Sequence, residues 1–268
     1  MNIKRWIWVL ILLIFIAPLS VNAEENEEGE SSNYEIPDSA VDISKANTYP
    51  NPTENLPRLE PGELATELLE TTDVEIENPE LIKMFNESSI RGSKLAVGYN
   101  ASVYLGEWPL TYQSDETTIN WDYKKVNTNF VDNRGKNEPK HLSYQQEQQK
   151  KVSGGLTSDI QNADTVKKMM RLDAEEKTKL PLSFSTVIGN RTKEERSYNV
   201  PAKNVGYLYA YVPAVNEKGT VTFGEVYLRM KGDESWIEVK NVTEQGTSAW
   251  IPLRDYLNFS FYSGKEPK

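Results

Sequence analysis

The hydrophobic pattern changes period along this chain, and each change marks an element. Between residues 34 and 61 the apolar residues Tyr34, Ile36, Val41, Ile43, Tyr49, Leu56 and Leu59 are interleaved with Pro37, Pro50, Pro52, Pro57 and Pro61. Each proline fixes its own φ and turns the residue before it away from helix, so the segment reads as extended. A flexible spacer would be poor in such apolar side chains, and this one is expected to lie along a folded domain. Helical period follows. Leu64 and Leu68, with Ala65 and Leu69 beside them, predict a helix near 62–70. Asn78, Pro79 and Glu80 predict the start of a second, near 79–88: the asparagine caps free amides, the proline suits the first helical position and the glutamate meets the positive end of the dipole. Its apolar stripe is Leu81, Met84 and Phe85.

From Leu95 the period becomes two. Segments 95–105, 119–123, 182–188 and 221–230 alternate as strands, with shorter candidates at 235–240, 249–253 and 257–261. Tyr207, Tyr209 and Tyr211 fall on one face of a further strand, and Leu208, Ala210 and Val212 on the other. Bulk on both faces places that strand in the middle of a sheet or between layers. A third helix, near 164–179, interrupts the strands: Asp164 as cap, Val166, Met169 and Met170 as apolar side, Asp173–Lys177 and Glu175–Lys179 as i,i+4 pairs, Pro181 as stop. About eight to ten strands, with turn signals such as Asn133-Arg134-Gly135, predict a mainly β (α+β) fold. The expected architecture is an antiparallel β-sandwich or long twisted sheet, with two short N-terminal helices and one helix inserted between strands, all within a single β-rich domain over 62–268.

Ahead of this domain, Lys4 and Arg5 precede 11 apolar residues, Trp6 to Ile16, and Val21-Asn22-Ala23 offers small residues for cleavage. The run is shorter than the roughly 20 residues a membrane helix needs, so residues 1–23 read as a signal peptide cleaved after Ala23. A secreted, extracytoplasmic protein with no transmembrane span after signal removal is the expectation. The leader holds two of the 30 basic residues and no acid, so its loss leaves 28 basic against 40 acidic residues, a balance of -12. Residues 24–61 carry ten acids and two bases, or -8 of that. The acidity belongs to a tail: 24–33 is expected to be disordered, and nucleic acid is not expected as a partner.

Candidate chemistry is narrowed by what the chain lacks. Without cysteine there is no disulfide, thiolate nucleophile or Cys-ligated zinc; with one histidine, His141, there is no multi-histidine metal site. Serine-hydrolase, metalloprotease, phosphate-loop, dinucleotide and calcium-loop motifs are missing too. No catalytic residue, metal or cofactor is therefore expected, and His141, in a polar strand, reads as a surface residue. Trp108, Trp121, Trp236 and Trp250 lie in or beside strand-period segments and suit a core, with one or two left for a surface patch. Trp108, in a Gly106-Glu107-Trp108-Pro109 sequence read as a strand-end turn, is the candidate binding residue.

Three functional classes follow. The leading reading is a non-enzymatic binding or interaction domain of the cell envelope, its partner protein or glycan. Paired carboxylates leave no spacing signature, so a carboxylate-dependent cell-wall glycan hydrolase stands as an alternative. The polar stretches Thr111–Phe130 and Ser143–Ile160 resemble the membrane-inserting hairpin of aerolysin-like toxins, which gives a β-pore former as the third reading. A pore strand needs an apolar residue at every second position, and Gln145 to Lys151 has none, which favours an ordinary exposed hairpin there.

The leader, Tyr34-Glu-Ile-Pro-Asp-Ser39, Asn47-Thr-Tyr-Pro-Asn-Pro52 and the stretch Ile90 to Pro109 together resemble the YfkD-like family of exported bacterial proteins. The resemblance implies a bacterial, extracytoplasmic protein and brings no catalytic residues with it.

Overall fold

The computed structural model describes residues 34–53, 59–88 and 100–268. The expected signal peptide, the acidic tail and the 95–99 part of the first expected strand lie outside the described residues. Along the chain come β1 (Ala40–Asp42), α1 (Glu63–Leu69), α2 (Pro79–Glu87), β2 (Asn100–Asp132), β3 (Lys140–Gln145), β4 (Lys150–Ser153), β5 (Gly155–Leu156), α3 (Ala163–Thr178), β6 (Ser185–Ile188), β7 (Lys193–Val200), β8 (Val205–Lys231), β9 (Glu234–Pro252) and β10 (Tyr256–Gly264). The fold is mainly β and antiparallel. Its frame is a long sheet, and two two-stranded ladders, β3–β7 and β4–β6, stand beside it.

β8 is the middle of that sheet. β2 pairs with it over its whole length; on its other side β10 takes residues 205–211 and β9 residues 214–231. β1 extends the sheet from β10, and β5 extends it from β9. The 27 residues of β8 amount to roughly 90 Å of extended strand. No single core covers such a length.

Instead, the buried parity of β8 switches twice. Leu208, Ala210 and Val212 are buried with Leu142, Val152 and Ile188 of the small ladders. Next, the odd-numbered Val215, Val221 and Phe223 pack under Val166, Met169 and Met170 of α3. Val226 and Leu228 return to even parity against Ala65, Leu68, Leu81 and Phe85 of α1 and α2. The right-handed twist of a long strand turns its faces progressively, so covering elements at different heights meet different parities.

β2 corrects the reading of the polar stretches. Thr111 to Phe130 is the interior of one 33-residue strand paired to β8, and residues 143–160 are divided among β3, β4 and β5, which pair with β7, β6 and β9. Neither stretch is a hairpin. Five register shifts in the β2–β8 ladder absorb extra residues of β2, as bulges do. Gly106 sits at the first of them with φ of 117°, a conformation open to glycine and costly for other residues. Glu107-Trp108-Pro109 is consequently mid-strand and not a strand-end turn.

The helices are held largely by local chemistry. The Asn78 side-chain oxygen accepts from the amides of Glu80 and Leu81 at 2.8 and 3.3 Å, and its Nδ2 donates to the Pro109 carbonyl at 2.6 Å, tying α2 to β2. At α3 the expected cap is displaced. Asn162, with φ of 50°, takes the cap position, while Asp164 stands in the first turn and pairs with Lys167 at 3.2 Å. Asp173 and Lys177 pair at 3.3 Å. Lys179 closes the helix in the left-handed conformation, and the Glu175 carboxylate accepts instead from the amide of Leu182 at 3.0 Å.

Candidate functional site

Covering β8 on alternating parities leaves three stretches with one face uncovered. The middle one presents Asn216, Lys218, Thr220 and Thr222, an ordinary solvated face. The last presents Glu225, Tyr227 and Arg229, with Tyr104 of β2, 54% exposed, packed on Tyr227 at 5.0 Å; Tyr227 donates to Glu225 at 2.9 Å, Arg229 pairs with Glu238 at 2.5 Å, and both Arg229 and Lys240 lie over the Tyr227 ring.

The first stretch is different. Strict alternation puts Tyr207, Tyr209 and Tyr211 opposite the buried Leu208, Ala210 and Val212, and cross-strand register adds Phe130 of β2 and Tyr262 of β10 beside Tyr207. Phe130 is 49% exposed, and the three tyrosines of β8 are half-buried. Tyr207 lies 4.8 Å from Phe130, 6.3 Å from Tyr262 and 6.1 Å from Tyr209, centroid to centroid, and the Tyr207 and Tyr209 planes are within 5° of parallel. Lys125 Nζ stands 5.3 Å from the Tyr209 centroid and Lys268 Nζ 3.9 Å from that of Tyr262. Among the described residues no hydrogen bond reaches the hydroxyls of Tyr207 or Tyr209. At the rim, Arg134 grips Asp132 through two nitrogens at 3.0 and 2.7 Å and holds its carboxyl down to about 2. Burial, helped by the charge of Asp122, raises the Tyr211 hydroxyl above its ordinary value. The exposed Phe130 and the half-buried tyrosine rings beside it, with polar tips and cations above them, form a platform against which a ligand can pack and hydrogen-bond its edges.

Trp108 is placed elsewhere. Its indole N–H donates to the Leu105 carbonyl at 2.9 Å, and its half-buried ring packs against the cluster of Leu68, Phe85 and Leu110. Trp121 packs on the α3 cluster, and Trp250 stacks on Tyr123 at 5.0 Å. His141 is exposed on β3 opposite Asn199. The aromatic surface is therefore built from tyrosines, and the alternation of 207–211 was its sequence signal.

A second constellation bears on acid chemistry. Glu217 is fully buried, its Oε1 accepting from the Tyr112 hydroxyl at 2.9 Å and its Oε2 from Thr117 at 2.6 Å. Burial pushes its pKa up, and the hydroxyls of Ser114, Thr117 and Tyr112 pull part of the way back. Burial and the neighbouring Glu217 likewise raise the Tyr112 hydroxyl. A hollow of ≈ 310 Å³ is lined by Tyr112, Met169, Leu172 and Asp173, among others, but not by Glu217. Glu217 thus has both oxygens committed and no face toward a substrate, which gives it the geometry of a joint between β2 and β8. Among the described residues no group of three or more acids and histidines is arranged to hold a metal, and no helix is long and apolar enough to cross a membrane.

These features define a class: a mainly β, cysteine-free chain on one long antiparallel sheet, with an aromatic row on an uncovered face. A family model described as "YfkD-like protein" matches residues 37–268, and the chain belongs to that family. Over 259 residues, 97% of each chain, it is 51% identical to "Uncharacterized protein YfkD" of Bacillus subtilis (strain 168). Among solved structures, an aerolysin-like protein of Bombina maxima matches 62% of this chain and 99% of its own at 7% identity; with a TM-score of 0.14 the likeness carries no argument.

Proposed function

We propose that this chain is an exported, non-enzymatic binding domain of the cell envelope that takes its ligand on the tyrosine face. The observation that carries the reading is the row of rings on the first stretch of β8, where the hydroxyls of Tyr207 and Tyr209 are unspent, whereas Tyr227, the ring of the last stretch, is bonded to Glu225 and covered by Arg229 and Lys240. Solvated sheet faces are normally polar, and contiguous exposed apolar surface costs solubility unless something binds there. Export rests on the leader. Amino-terminal sequencing of extracellular protein should begin at Glu24, and a chain beginning at Met1 would end that part of the proposal.

Co-sedimentation with purified cell wall tests the binding. The mature chain should be retained, and the double variant Tyr207→Ala, Tyr209→Ala should lose at least roughly tenfold in retention, the scale of a ring-based hot spot. Its far-UV CD spectrum should be unchanged. Retention equal to the parent protein would remove the tyrosine face from consideration. Release of reducing sugar from the wall by the mature chain would replace binding with hydrolysis.

A further inference from the structure

The charges around the rings narrow the ligand. Although the chain carries a net charge of -10, the groups standing directly over the tyrosine face are ammonium ions, Lys125 above Tyr209 and Lys268 above Tyr262. Of the nearby acids, Asp132 is paired with Arg134, while Asp122 accepts from Asn258 at 2.9 Å and keeps its charge beside Tyr211. Among the described residues neither lysine forms an ion pair, and the ring faces serve as their partners, a weak interaction that an anion can outcompete. Between the lysines lie the near-parallel rings of Tyr207 and Tyr209. Their half-buried rings suit packing against the C–H groups of a pyranose, and their free hydroxyls suit its oxygens.

We infer that the ligand of this face is a carboxylate-bearing glycan strand, with sugar rings stacked on Tyr207 and Tyr209 and carboxylates paired with Lys125 and Lys268. The inference rests on the binding function proposed above. A carboxylate fixed to the sugar ring stays within reach of an ammonium overhanging the tyrosine on which that sugar stacks. A polyol phosphate offers the charge without the ring. A single-stranded nucleic acid offers rings and charge, but its regularly spaced phosphates call for a run of cations along the backbone, where this face presents Lys125 and Lys268.

Titration calorimetry with the mature chain separates these outcomes, using oligogalacturonate as the carboxylated probe, a neutral galactan oligomer of equal length, a polyol-phosphate oligomer and oligo-dT. Oligogalacturonate should bind roughly tenfold tighter than the neutral strand at low salt, and the gap should close near roughly 1 M salt, where surface charge pairs are screened. The Lys125→Gln, Lys268→Gln double variant should lose the gap and keep the neutral affinity; Tyr207→Ala, Tyr209→Ala should lose both. Equal affinity for the two glycans, or tighter binding of polyol phosphate or oligo-dT, overturns the inference. If no probe binds while cell wall is still retained through the tyrosines, the carboxylated glycan is wrong and the binding function stands; if wall retention fails as well, both fall.

Discussion

Glu217 couples its protonation to stability through the two strands it joins. Because its folded pKa is raised by burial, the folded state holds the proton at pH values where the unfolded chain has released it. Its contribution is therefore fully present below the ordinary carboxylate range and is lost as pH rises through the raised folded value. Relative to Glu217→Gln, the parent protein should be more stable at pH 4 than at pH 7, read as the difference between paired urea midpoints; a difference that grows toward neutral pH would contradict the buried acid. Trp108 supplies a second test at this scale. With its N–H spent on Leu105 and its ring on the α1–α2 cluster, Trp108→Ala should cost about 2–3 kcal/mol in urea unfolding. A variant as stable as the parent would return Trp108 to the surface. Alternation separated Tyr207, Tyr209 and Tyr211 from their buried neighbours in the sequence, but which aromatic residues meet solvent depended on what covers each face.

Elements were legible in proportion to how local their determinants are. α2 begins where Asn78 and Pro79 place it, because a cap acts within one turn. The cap of α3 was misplaced because Asn162 enters from a left-handed conformation that spacing does not reveal. β2 reads as separate pieces since its bulges break the period of two, and only pairing with β8 makes it one strand. The extended segment around residue 50 is secured by side chains. Asn51 donates to Asp255 at 2.7 Å and to the Val187 carbonyl at 2.9 Å and accepts from the Val187 amide at 2.9 Å, while Asn47 accepts from the Gly189 amide at 2.9 Å. A Cβ on Gly189 would lie 2.6 Å from the Tyr49 nitrogen. Gly189→Ala should therefore push the segment off, costing about 1–3 kcal/mol. Amide exchange at residues 47–51 should accelerate while exchange within β8 keeps its order. Unchanged exchange there would mean that the segment is not clamped.

At the scale of the molecule, one strand carries all three apolar clusters, so losing any one of them exposes part of β8 and weakens its pairing at the others. Residues 34–268 should unfold in a single transition, with tryptophan fluorescence and far-UV CD giving coincident urea curves; separated midpoints would show that the clusters open independently. By itself the sequence determined the β class, the three helices, the central placement of the 207–212 strand and the absence of thiol chemistry, because each follows from period, capping or composition within a few residues. The family was legible as well, from the segments around Tyr34, Asn47 and the stretch ending at Pro109. Tertiary structure alone decided that β2 runs unbroken, that the core changes sides along β8, that Trp108 faces inward and that Glu217 is buried. Those outcomes depend on which distant segments cover which face of a twisting strand, and contacts between residues a hundred positions apart leave no period in the chain.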